Sequence, residues 1–167
     1  MKRQVIAYDE PVTTEEPRWL TAGELDVWLK LSVVLVRLPQ TLDAQLQRDA
    51  GISWFEYMLM AGLSEAPDRT MRMSRLALLT NGSLSRLSHG VKRLENRGWV
   101  VRSACQDDGR FTNATLTDDG YAKVVATAPG HVATVRRYFA EALGPAQLAQ
   151  LGDVVDSLLT GLAPELG

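Results

Sequence analysis

The stretch "SLSRLSHGVKRLENR", Ser83 to Arg97, gathers hydroxyl, amide and cationic side chains at helical spacing. At 100° per residue, Leu84, Leu87, Val91 and Leu94 fall on one side and are expected in the core. The other side shows Ser85, Arg86, Ser88, His89, Lys92, Arg93 and Asn96, with no acid among them, and Glu95 lies nearer the apolar edge. A merely solvated helix would mix Glu and Lys to gain i,i+4 pairs. Short polar residues that permit close approach, beside donors for bases and phosphates, suit a helix that enters a DNA major groove. A second candidate contact follows in "QDDGR". Arg110 comes directly after an Asp-Gly turn, so its guanidinium projects beyond two strands, where it can enter a narrow minor groove. Asp107 or Asp108 can pair with it and fix its direction. Arg72 and Ser83 complete the set of candidate DNA-contacting residues.

The charge distribution agrees. The chain of 167 residues carries a formal net charge of -2. Residues 72–110 hold eight basic and three acidic side chains, a local +5, whereas residues 1–71 carry -4 and residues 111–167 carry -3. Positive charge confined to one segment is the footprint of a local polyanion-binding surface.

Other chemistry finds little support. His89 and His131 are the only histidines, and no HExxH, P-loop or GxSxG motif is present, so no enzyme, metal or cofactor is expected. The single cysteine, Cys105, rules out an internal disulfide framework and fits a reducing interior, the cytoplasm. Arg102 nearby can lower a thiol pKa, which opens an oxidant-sensing alternative. The placement of Cys105 in a strand favours an unreactive thiol. Apolar stretches are broken well before the roughly 18 residues needed to span a bilayer.

These residues need elements to position them. Residues 1–19 read as a loose arm. Residues 20–50 form a long apolar helix, opened by a Thr21/Glu24 capping box, kinked at Pro39 and stopped by Gly51. A helix capped by Ser53 runs across Trp54 to Leu63, a loop with Pro67 follows, and a short helix covers Ser74 to Leu79. Ser83 caps the basic helix, and Gly98 takes the place of its left-handed cap. After Gly98 the period changes: "WVVRSA" and "FTNATL" read as a hairpin around the Asp-Gly turn. Thr117 caps a further helix that Pro129-Gly130 should bend or break, and a last helix follows Gly144-Pro145. The fold class is mainly α with a small β-hairpin wing, a winged helix-turn-helix between terminal helices. Residues 51–117 form its lobe, while residues 20–50 and 118–167 carry more apolar surface than that lobe can cover. A two-fold homodimer would bury the surplus and set two basic helices about 34 Å apart, one DNA turn.

The segment "RMSRLALLTNGSLSRLSHGVKRLENRGWVVRSACQDDGRFTNATLTDDG" resembles the DNA-binding core of the MarR family of transcriptional regulators. The matching features are Leu76-Ala77, the "RLENRGWV" run, the "DDGR" wing and the closing "LT", and the likeness covers most of the chain after Leu20. Two features depart from the family pattern. His89 stands where an arginine is common, and Pro129-Gly130 interrupts a helix that is often continuous. The resemblance implies a homodimer with intertwined terminal helices, recognition helices in successive major grooves and wings in the minor groove. By position, Ser85, Arg86, Ser88, His89 and Lys92 match the groove-facing part of the recognition helix, and Arg110 the wing arginine. Trp28, Trp54 and Tyr57 are candidates to line a pocket for an aromatic or phenolic effector. The expected function is a ligand-responsive repressor that binds a pseudo-palindromic operator. The alternative is a winged-helix interaction module that dimerises without specific DNA.

Overall fold

A computed structural model describes residues 17–80, 82–105 and 110–162. They include six α-helices, three short strands and two short helical turns, and they fall into two compact units divided between Leu35 and Val36.

The first unit holds the start of α1 (Ala22–Ala50). Its capping box forms as the sequence predicts: Thr21 N donates to Glu24 Oε2 at 2.7 Å, and Glu24 N donates to Thr21 Oγ1 at 3.3 Å. Leu25, Val27, Trp28, Leu29, Val33, Val34 and Leu35 are all exposed.

In the second unit, the remainder of α1 leads to α2 (Trp54–Ser64), α3 (Met73–Leu79) and α4 (Leu84–Asn96). Strands β1 (Thr70–Arg72), β2 (Val100–Ala104) and β3 (Thr112–Leu116) form one antiparallel sheet in the order β1-β3-β2. The wing pairs Val100 with Leu116 and Ala104 with Thr112. Helices α5 (Asp118–Val135) and α6 (Pro145–Leu162) complete the unit, separated by one turn of π-helix at Arg136–Ala140.

Leu46, Ile52, Leu59, Met60, Leu63, Leu76, Leu87, Val91 and Leu94 are fully buried and form the centre of the core with Val100 and Ala114. Helix α4 lies close on α2 at Gly90, where an added Cβ would come within 2.9 Å of Phe55 Cε1. The chain leaves α4 through Gly98 at φ +72°, a left-handed conformation that favours glycine.

The structure refines the sequence reading in four places. Helix α1 continues through Pro39 to Ala50, because a ladder of 29 residues can give up one backbone bond. Helix α5 likewise continues through Pro129 and Gly130, so the departure from the family pattern at that point is one of sequence and not of helix continuity. Leu84 is 66% exposed, not core: it stands at the first turn of α4, before the helix reaches its packing partners. The loop after α2 contains a strand, β1, which pairs Thr70–Arg72 with Asn113–Thr115 and makes the hairpin a three-stranded sheet.

Candidate nucleic-acid interface

Ser83 fixes where α4 begins. Its Oγ accepts a hydrogen bond from Arg86 N at 3.2 Å, satisfying one of the helix's unpaired first-turn donors. Once Leu87, Gly90, Val91 and Leu94 are buried, the geometry of a helix forces Ser85, Arg86, Ser88, His89, Lys92, Arg93 and Asn96 outward, and all are exposed.

The exposed face has two flanks. On one, Arg86, His89 and Arg93 line a cleft of about 930 Å³ against Pro39, Asp43 and Trp54. Arg86 lies over the Phe55 ring, 4.3 Å from its centroid. Arg93 Nε donates to Glu56 Oε1 at 2.8 Å. On the other flank, Ser88 borders a second cleft shared with Arg72, Arg102 and Arg110. Ser85 and Lys92 lie on the exposed arc between the two flanks.

Glu56 is a residue that the sequence reading passed over. It is almost wholly buried at the third position of α2, where it completes a capping box with Ser53. Burial alone would raise its pKa. The hydrogen bonds from Ser53 and from Arg93 outweigh that and hold the carboxyl below its usual range. The signal was present as S-x-x-E at Ser53–Glu56, but its partner lies 37 residues away. Asp43 secures the same corner by accepting from Trp54 N at 2.7 Å.

The wing is tied to α4. Arg102 of β2 donates to both oxygens of Glu95, at 3.0 and 2.7 Å. This fork holds the Glu95 carboxyl below its ordinary pKa and raises that of Arg102. Glu95 therefore faces the wing and leaves the outer face of α4 without an acid. Arg110 is exposed at the foot of β3. Asp107 and Asp108, the expected supports of the wing arginine, lie outside the described residues.

Of the three candidate pocket aromatics, Trp54 borders the cleft shared with Arg86 and Arg93. Tyr57 instead packs in the core, its ring centroid 4.6 Å from that of His131. Trp28 is half-exposed and belongs to the first unit. Cys105 is buried just after β2, with Arg72 Nη2 3.8 Å from its sulfur. Among the described residues, no helix is long and apolar enough to cross a membrane, and no group of three or more His, Cys, Asp or Glu is placed to hold a metal.

No protein-family model and no curated protein matches the chain. Solved structures do. Sco3205 of Streptomyces coelicolor, a MarR family transcriptional regulator solved in complex with DNA, is 45% identical, with a TM-score of 0.85 over 89% of this chain and 92% of its own. The chain belongs to the MarR family of transcriptional regulators. AbsC of the same organism, another MarR regulator, is 39% identical, with a TM-score of 0.80 over 90% of this chain and 98% of its own. CouR of Rhodococcus jostii RHA1, solved with p-coumaroyl-CoA, shares the fold at 22% identity, with a TM-score of 0.69 over 80% of this chain and 91% of its own. In this MarR-family chain α4 is the recognition helix by topology, and β2 and β3 are the wing.

Proposed function

We propose that this MarR-family regulator binds duplex DNA sequence-specifically as a homodimer. Helix α4 enters the major groove and the wing places Arg110 in the adjacent minor groove. The observation that carries this reading is the outer face of α4. Ser85, Arg86, Ser88, His89, Lys92 and Arg93 are exposed there together, with no carboxylate among them, on a helix whose opposite side is locked into the core. The 45% identity to a regulator crystallised on DNA supports it. Ser83 caps the helix, so its role is to aim the first turn at the duplex.

Dimerisation is supported by the apolar surface of the terminal helices. Leu158, Leu159 and Leu162 of α6 are each about half exposed, no residue of α6 is buried, and the start of α1 is equally bare. Apolar surface on this scale is rarely left to water. An isologous interface through residues 20–50 and 118–167 covers it and sets the two recognition helices about one DNA turn, 34 Å, apart. The operator is then pseudo-palindromic.

The regulator acts as a repressor that a small molecule releases. The cleft beside Trp54 takes the effector, and its contact with Arg86 and Arg93 links occupancy to the recognition helix. The effector acts by favouring a dimer whose helix spacing no longer fits the grooves.

A salt titration tests the core of this reading. Binding through several phosphate contacts weakens steeply as salt rises, and Arg110→Ala lowers affinity. Negligible affinity for every duplex at low salt would leave the interaction-module reading in its place.

A further inference from the structure

The cleft between the wing and the recognition helix is lined by Arg72, Ser74, Ser88, Arg102, Arg110 and Thr112, and it encloses about 270 Å³. Three guanidinium groups reach it from three places in the chain: the end of β1, the middle of β2 and the turn just before β3. Arg102 is already committed, since Glu95 takes its fork on both oxygens. Arg72 is held differently. Its guanidinium lies over the Phe111 ring, 4.9 Å from the centroid, and Nη2 is 3.8 Å from the Cys105 sulfur. Neither neighbour is a carboxylate. Among the described residues, no carboxylate lies within ion-pair distance of Arg72. The result is a cation held over an aromatic ring, with no carboxylate partner among the described residues, at a small cleft edged by hydroxyl groups.

We propose that this cleft seats one phosphodiester of the DNA backbone, with Arg72 as its principal ligand and the Ser74, Ser88 and Thr112 hydroxyls as the neighbouring donors. The proposal rests on the DNA-binding reading and adds a site to it. Since a water takes about 30 Å³ of liquid volume, the space suits a tetrahedral phosphate group with a few waters. A planar guanidinium stacked on an aromatic face is also suited to two-pronged phosphate recognition, which a lysine cannot reproduce. The seat lies between the two DNA-contacting elements, so a phosphate held there sets the register of the groove-reading side chains and carries no sequence information itself.

The test uses the full chain, a duplex of unrelated sequence, and binding measured across a range of salt concentrations. Wild-type protein should show a steep log–log dependence. Arg72→Ala should weaken binding to every duplex and reduce the slope by about one, the signature of one lost phosphate contact. Arg72→Lys should restore the slope but not the full affinity. Arg72→Gln retains a planar group over Phe111 and serves as the charge-deleted variant if the alanine fails to fold. A wild-type slope in the folded charge-deleted variant overturns the seat while leaving the DNA reading intact. Absence of wild-type binding to any duplex at low salt ends both. A final arm compares thermal midpoints in sodium phosphate and in sodium chloride at equal ionic strength. A saturable, Arg72-dependent rise in phosphate, joined to an unchanged DNA slope, would assign the cleft to the free anion and overturn the proposal.

Discussion

Glu56 Oε1 accepts a 2.8 Å hydrogen bond from Arg93 Nε, so the carboxylate that caps α2 also pins the recognition helix. One buried group thus serves two helices, and it fixes a cation on the edge of the face proposed to meet DNA.

Removing that group should affect stability more than removing its partner. Glu56→Ala forfeits a capping box, about 1 kcal/mol, and its bond with the half-exposed Arg93, about 1 kcal/mol or less. The expected loss is about 1–2 kcal/mol by urea denaturation. Arg93→Ala should lose about 1 kcal/mol or less, because its guanidinium is half exposed and Ser53 still satisfies Glu56. Equal losses in the two variants would show that the carboxylate is not the shared support.

The Glu95–Arg102 fork should behave as a strut between recognition helix and wing. Arg102→Ala is expected to lower the thermal midpoint modestly and to weaken DNA binding, although Arg102 adds no uncompensated charge to the interface. The exchanged pair Glu95→Arg with Arg102→Glu should recover part of both. Failure of the exchange to recover either property would show that the two residues act separately.

His131 should make the fold acid-sensitive. It is buried on α5 between Tyr57 and Gln45, with Nδ1 3.4 Å from Gln45 Oε1, and Gln45 Nε2 in turn donates to Asp49 at 3.0 Å. Burial lowers its pKa from the ordinary 6.5, so the folded state prefers the neutral ring. The unfolded chain then binds the extra proton, and stability present above pH 6.5 is lost as pH falls below it, by up to about 1.4 kcal/mol per pH unit. Unfolding free energy measured from pH 7.5 to 5 should show this decline, and His131→Gln should flatten it. An unchanged pH dependence in that variant would assign the effect to other groups.

The exposed apolar helices predict two chains per particle. Leu158→Asp with Leu162→Asp on α6 should shift sedimentation equilibrium from two chains toward one, since each charge would have to enter an apolar interface. A wild-type protein that sediments as a single chain would remove the two-fold geometry on which the operator spacing depends.

Much of this architecture can be read from the sequence, because local signals and global packing agree. Ser53, Ser83 and Thr117 cap the helices they precede, Gly98 closes α4 at positive φ, and the change from helical to alternating period marks the wing. What escaped were relations between distant residues. Strand β1 is three residues long and exists only through its pairing with β3, more than 40 positions away. The Arg93–Glu56 and Arg102–Glu95 pairs join elements whose facing is set by tertiary packing, not by spacing. Tyr57 and Trp54 look alike as helical aromatics, yet three positions turn one into the core and leave the other on the cleft. The two prolines stand inside continuous helices because a long helix tolerates one missing donor.

The most direct measurement is selection of duplexes from random DNA by the full chain, followed by footprinting of the selected site with wild-type protein and with Lys92→Ala. The account predicts two related half-sites centred one helical turn apart, two chains bound per duplex, and loss of protection over both half-sites in the variant. Recovery of no preferred sequence, or of a site protected on a single half with Lys92 dispensable, would contradict it.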